Sequence, residues 1–223
     1  MAFHEYFREN WVWDSNSKPL EVELSSDLEE AYFYIDPVIE STGTVAVRGN
    51  KGFTDGEHYW EIIFLEAPIG SSVMIGVGTI KAQLRSNLYQ YINLIGQDKQ
   101  SWGLSYKGKI WHNGICKNYC EPFYKSGTVI GVHLNLYKNT LTFYKNGVSL
   151  GEAFTGLYTF SEPLYPIISS TATDTELALG VRTCRYLSLQ EKCFSRVRSS
   201  LSNIDSVDSL PLPRLFINHL REL

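Results

Sequence analysis

From Gly43 to Val181 the chain runs as short apolar stretches separated by turn-forming residues at brief intervals. This spacing leaves little room for helices and demands many short strands. Thr44-Val45-Ala46-Val47 opens the series within Gly43 to Gly49, and His58 to Leu65 carries Tyr59-Trp60-Glu61-Ile62-Ile63-Phe64. Ser72 to Thr79 is almost continuously apolar through Val73-Met74-Ile75-Gly76-Val77, the pattern of a strand covered on both faces. Val129 to Leu136 alternates, with Ile130, Val132 and Leu134 on one face and Gly131, His133 and Asn135 on the other. Tyr106 to Lys109 and Lys138-Asn139 read as turns. Asn146-Gly147 is the strongest hairpin signal, because both residue types tolerate positive φ. The pattern predicts an all-β sandwich or barrel.

Composition agrees. Aromatic residues make up 13% of 223 residues, and aromatics favour strands. A formal net charge of -4 argues against a nucleic-acid or anionic-membrane surface as partner, since both select basic proteins. Met1 to Asn10 holds His4, Glu5, Arg8 and Glu9 in place of the apolar stretch of a signal peptide, so the expected compartment is cytosol, nucleus or both. Cys116, Cys120, Cys184 and Cys193 match no zinc-binding spacing, and free thiols are expected of them.

The character changes after Val181. From Leu187 to Leu201 the residues Leu189, Cys193, Val197 and Leu201 fall four apart, on one face of a helix. Ser188 and Glu191 have the spacing of a capping box. Ser202 to Ser209 reads as a polar, acidic linker. Leu210-Pro211-Leu212-Pro213 is expected to be extended, and Arg214 to Leu223 to form a last short helix with Phe216, Leu220 and Leu223 on one side. A helix of this length is marginal alone. Its apolar stripe must cover the chain's own sheets or enter another protein, and the pattern leaves both open.

A catalytic reading finds little support. None of His4, His58, His112, His133 and His219 lies in a Gly-x-Ser-x-Gly or His-Glu-x-x-His motif. A pair of Cys116 with His112, in a loop, is the one hydrolase candidate. Gly49-Asn50-Lys51-Gly52 is too sparse to cradle phosphate. No catalytic residue, metal ligand or cofactor is assigned, and no enzyme activity is expected.

Four stretches carry a resemblance. Gly56-Glu57-His58-Tyr59-Trp60-Glu61-Ile62, Ser101-Trp102-Gly103-Leu104, Asn139 to Gly147, and Leu164-Tyr165-Pro166-Ile167-Ile168 resemble successive signatures of SPRY (B30.2) domains. The tail, Ser188 to Val197 and then Leu210 to Leu220, resembles a SOCS box, departing from it at His219, where a Tyr is usual. The chain as a whole is similar to the SPRY domain-containing SOCS box family. The resemblance implies an all-β SPRY/B30.2 sandwich with a small α-helical SOCS box. Its parts would be an N-terminal extension at 1–10, a substrate-binding SPRY domain at 11–183 and the SOCS box at 184–223.

It implies as well a non-catalytic substrate receptor of an E3 ubiquitin ligase. Leu189, Cys193 and Val197 would meet Elongin B/C. Leu210, Pro211, Leu212, Pro213 and Phe216 would meet Cullin-5, which brings its RING partner. A rim of Ser41, Thr42, Gly70, Ser71, Tyr91, Leu94, Thr171, Ala172 and Thr173 would grip a short, Asn-rich motif of a target protein destined for proteasomal degradation. In the family the late loop carries a Trp where this chain has Ala172. Trp60, Trp102 and Phe143 are expected in the core. The rival from another class is a stand-alone SPRY binding module without ligase coupling.

Overall fold

The computed structural model describes residues 6–35, 43–87, 89–157, 162–201 and 204–222, excluding the side chains at 195, 199, 204–206, 219 and 222. The chain divides into two compact units, Met1–Arg185 and Tyr186–Leu223.

The first unit is a sandwich of two antiparallel sheets, with strands numbered along the chain. One sheet has the order β12 (Val148–Thr155), β11 (Thr140–Lys145), β10 (Val129–Asn135), β5 (Glu57–Phe64), β14 (Thr175–Arg185), β3 (Glu30–Phe33), β2 (Val22–Leu24), and β1 (Phe7–Arg8) also pairs with β14. The other has the order β4 (Val45–Arg48), β13 (Tyr165–Ser170), β6 (Val73–Gly78), β7 (Ser101–Ser105), β8 (Lys109–His112), β9 (Ile115–Asn118). Phe7 and Arg8 face Cys184 and Thr183 across the ladder, so the segment expected as an extension joins the sheet.

The core fills the space between the sheets. Ile130, Val132 and Leu134 of β10 are buried in the core as expected, and so are Trp60, Trp102 and Phe143, but Gly131 and Asn135 on the other pleat of β10 are buried as well. The β11–β12 hairpin turns at Asn146 and Gly147, whose φ angles are +50° and +79°. Neighbouring positive φ values in a two-residue turn match the twist of the flanking strands.

The continuous burial of β6 has a physical cause. Val73, Ile75 and Val77 face the inter-sheet core, while Met74 lies on the other pleat and packs with Ala46, Leu94, Ile95 and Ile167. The connection from β6 to β7 therefore folds over the outer face of the second sheet and holds Tyr91 and Leu94 near one end of it. The close approach needs glycine. Gly76 faces Gly103 across β6–β7, and a Cβ on Gly76 would stand 1.9 Å from the Trp102 carbonyl oxygen.

A buried polar knot ties the N-terminus to β5. The Glu9 carboxylate meets His58 Nδ1 at 3.0 Å and accepts from Lys51 Nζ at 2.7 Å, while His58 stacks on Phe53 with ring centroids 3.9 Å apart.

The second unit holds α1 (Leu189–Ser199), a 3-10 helix (Ile204–Ser209) and α2 (Arg214–Glu222). The capping box is present: the Glu191 amide donates to Ser188 Oγ at 3.1 Å, and the Ser188 amide donates to the Glu191 carboxylate at 2.8 Å. Two expectations are corrected. The segment read as a linker forms the 3-10 helix, because Val207 is apolar enough to be the buried centre of the unit. The Leu-Pro-Leu-Pro run bends, with the Leu212 amide donating to the Leu210 carbonyl at 2.8 Å. The Pro213 carbonyl then accepts from the Phe216 amide and opens α2.

Candidate functional site

At one end of the second sheet three loops meet, and long-range hydrogen bonds lock them together. Gly70-Ser71-Ser72 ends the β5–β6 connection, Tyr91 to Leu94 belongs to the β6–β7 connection, and Thr171-Ala172-Thr173 joins β13 to β14. The Ser72 amide donates to Thr171 Oγ1, and the Thr171 amide donates to the Ser72 carbonyl at 2.9 Å. The Ser72 hydroxyl donates to Asn93 Oδ1 at 2.7 Å, which ties in the middle loop. Gly70 has φ +80°, and a Cβ there would lie 2.7 Å from the Ala172 Cβ. Only glycine accepts both the angle and the proximity without strain.

The expected rim residues come together in part. Gly70, Ser71, Ala172 and Thr171 are neighbours, and the Thr173 hydroxyl bonds the Ile35 carbonyl. Neither the Gly70 nor the Ser71 amide donates to a described residue, and both residues are exposed. These amides are available to a carbonyl from outside. The Tyr91 ring is half-buried against the main core, and its buried hydroxyl has no hydrogen-bond partner among the described residues. A buried hydroxyl without a partner is costly and uncommon, and Trp11 Nε1, Arg48 Nε, Ser169 Oγ and Arg182 Nε share that state among the described residues. Leu94 differs from the expectation of a peptide contact. At 3% exposed it is part of the cluster around Met74 and supports the rim from beneath. Ser41 and Thr42 lie outside the described residues.

Several positioning residues escaped the sequence reading. Thr44 is fully buried, and its hydroxyl accepts from the Ile92 amide at 2.9 Å while lying 3.2 Å from the Gln90 carbonyl, on either side of Tyr91. The Tyr106 hydroxyl donates to the Gly70 carbonyl at 2.7 Å, and burial, reinforced by Tyr124, pushes its pKa above the ordinary value, so it remains a donor. Lys107 Nζ donates to the Ser71 carbonyl at 2.7 Å. Nothing local signals these contacts, because each spans tens of residues.

The hydrolase candidate does not assemble. His112 pairs with Ile115 across the β8–β9 ladder, and Cys116 pairs with Trp111. Side chains alternate along a strand, so the imidazole and the thiol stand on opposite faces. His112 instead stacks on Trp102 at 4.5 Å, its Nδ1 bonded to the Ser101 carbonyl at 2.9 Å.

In the helical unit the four-spaced stripe is divided. Phe194, Val207 and Leu220 form a small core, joined by Val197, Leu201, Leu210, Phe216 and Ile217. Leu189 is 79% exposed and Cys193 is exposed. The chain thus holds Val197, Leu210 and Phe216 largely for its own packing, and leaves Leu189, Cys193, Pro211, Leu212 and Pro213 on the surface. The His219 side chain lies outside the described residues.

The comparison with known proteins now decides the family: residues 57–180, more than half of the chain, match the SPRY domain. The chain belongs to the SPRY domain family. SPRY domains bind proteins, and the sandwich is a binding domain of that kind. This SPRY protein is 38% identical over 205 residues to SPRY domain-containing SOCS box protein 3 of Xenopus laevis, covering 92% of the chain and 55% of the relative. It is 39% identical over 150 residues to F-box/SPRY domain-containing protein 1 of Drosophila virilis, covering 65% of the chain and 57% of that protein. The chain therefore spans about half the length of the curated relatives it matches. The PSpry domain of TRIM65 shares the fold, with a TM-score of 0.58 at 24% identity over 77% of this chain and 90% of that one. Because the Xenopus match takes in 205 of 223 residues, it cannot stop at Arg185 and reaches into the helical unit.

Proposed function

We propose that this SPRY protein is a substrate receptor of an Elongin B/C–Cullin-5 type ubiquitin ligase. The observation that carries this reading is the exposure of Leu189 and Cys193 on one side of a well-capped helix whose inward side is already satisfied. A large exposed aliphatic side chain beside a small apolar thiol makes a plug. Burying the leucine in a partner's pocket contributes about 1.5–3 kcal/mol, as expected of an anchor at the centre of an interface. A relative named for its SOCS box, matched into this same unit, supports the assignment. Pro211, Leu212 and Pro213, exposed and stiffened by the two proline rings, offer the cullin a surface with little entropy to lose.

At the rim, a short target segment would lay asparagine side chains against the Gly70 and Ser71 amides and the Tyr91 hydroxyl. An asparagine amide both donates and accepts, so it pairs with amides and a hydroxyl alike. An apolar analogue would leave these groups unpaired and be rejected. The target is thereby held to the ligase, ubiquitinated and degraded, with no catalytic step by this chain.

Co-purification with Elongin B and C tests the reading. Wild type should retain both, and the Leu189→Ala, Cys193→Ala double variant should lose both while keeping target binding. Failure of wild type to associate would leave a stand-alone SPRY binding module.

A further inference from the structure

The end of the second sheet remote from the rim carries a separate cavity. The rim loop enters β6 at Val73, and Thr79 lies just past the other end of that strand, roughly 20 Å away at the rise of an extended chain. The cavity there measures about 460 Å³ and is lined in part by Thr79, Lys99, Gln100, Trp102, His112 and Phe154.

Period and register put its walls in place. Trp102 and His112 face each other across β7–β8, and their rings stack at 4.5 Å with an interplanar angle of 6°. The Thr79 amide donates to the Gln100 carbonyl at 2.8 Å, which continues the β6–β7 ladder one step beyond Gly78 and Ser101. Gln100 stands two residues before Trp102, so its side chain leaves on the same face as the indole. Phe154 comes from β12 of the other sheet and meets the His112 ring edge-on at 6.4 Å. Both sheets thus contribute rings.

The polar groups are mostly donors with capacity left over. The Lys81 amide donates to Thr79 Oγ1 at 3.2 Å, and that hydroxyl donates to Gln100 Oε1 at 2.7 Å. The Gln100 amide is thereby oriented with its oxygen engaged, and its two N–H groups have no acceptor among the described residues. His112 Nδ1 meets the Ser101 carbonyl, which only accepts, so Nδ1 carries a proton and Nε2 has no partner among the described residues. Lys81 is paired with Glu162, whereas Lys99 is exposed and has no ion pair among the described residues. Two lysines against one glutamate leave the lining positive, in a chain whose formal net charge is -4.

We propose that this cavity is a small-molecule site, separate from the rim, for a flat aromatic ring that carries an anionic group. Its volume is that of a ligand pocket, with aromatic walls and a few polar groups to fix orientation. The ring lies against His112 and Phe154, since rings favour edge and offset contacts with other rings. The anion, an acceptor without protons of its own, takes the Gln100 N–H groups and the Lys99 ammonium. Nucleoside monophosphates and the indole and phenyl carboxylates share this chemistry.

The test titrates the isotope-labelled full chain with AMP, GMP, CMP and UMP, and with indole-3-acetate and phenylacetate, each beside the nucleoside or alcohol that lacks the charge. At least one anion should bind with a Kd below about 1 mM. It should bind roughly three- to tenfold more tightly than its uncharged counterpart, with amide shifts centred on Thr79, Gln100, His112 and Phe154. Whether the nucleotides or the carboxylates bind more tightly identifies the source. Gln100→Glu keeps the acceptor for Thr79 and replaces the N–H groups by a second carboxylate oxygen, so it should abolish binding with little change in the unfolding midpoint. Lys99→Glu, at an exposed position, should weaken it. The inference is overturned if no anion binds wild type, if charged and uncharged probes bind equally, if the shifts centre on the rim, or if either variant binds undiminished.

Discussion

The Ser72 amide donates to Thr171 Oγ1 at 2.8 Å, and that hydroxyl donates back to the Ser72 carbonyl at 3.0 Å, across 99 residues of chain. One side chain thus satisfies both polar groups of a buried backbone unit and fixes the gap between two rim loops. Removing it would strand a buried N–H.

Thr171→Val keeps the shape and deletes the hydroxyl. It should cost about 1–3 kcal/mol in urea unfolding, with Thr171→Ser recovering most of the loss. Target affinity should fall in parallel, because Gly70 and Ser71 are positioned through Ser72.

Tyr91→Phe separates binding from folding. The hydroxyl has no partner among the described residues, so its removal should leave the unfolding midpoint unchanged or slightly raised. Affinity for an asparagine-containing peptide should drop about 2- to 10-fold, the worth of one hydrogen bond. A loss of stability with unchanged affinity would assign Tyr91 to the core alone.

The two faces of α1 should behave oppositely. Leu189→Ala should alter stability by less than about 0.5 kcal/mol, as for other exposed positions, while abolishing Elongin capture. Phe194→Ala should cost about 3 kcal/mol or more, enough to open the small helical unit, and hydrogen exchange across 186–222 would register it. The β-sandwich amides should keep their protection in both variants.

Acid should loosen the N-terminal knot. Burial by itself raises the Glu9 carboxyl pKa, but the hydrogen bonds and charges of His58 and Lys51 outweigh burial and hold it below the ordinary 4.5. The folded protein therefore binds this proton more weakly than the unfolded chain does. The stabilisation is complete above the unfolded value and is lost as pH falls from there through the folded value. Thermal unfolding between neutral pH and pH 3 should show wild type losing stability below about pH 4.5, and Glu9→Gln should be less stable at neutral pH with a flatter profile across that window.

Much of the architecture was legible because it is written locally. The spacing of Ile130, Val132 and Leu134 marks the core face of β10, and Asn146-Gly147 marks the β11–β12 hairpin. The Ser188–Glu191 box marks the start of α1. Each depends on residues within a few positions of one another, where backbone preference and side-chain reach act directly. The site was legible only through resemblance, and imperfectly. Leu94 is one of several aliphatic residues in its loop, and nothing nearby tells which of them turns under the sheet.

Sequence alone determined the β10 core face, the Asn146-Gly147 turn and the cap of α1, since period and turn chemistry are properties of neighbours. Tertiary structure decided the rest: that Val197 faces inward while Leu189 does not, that Thr44 clamps the backbone around Tyr91, and that Thr171 answers Ser72. A four-residue spacing defines a stripe on a helix but cannot say which part of it will meet a core, because that core is assembled from Val207 and Leu220, on segments beyond the helix itself.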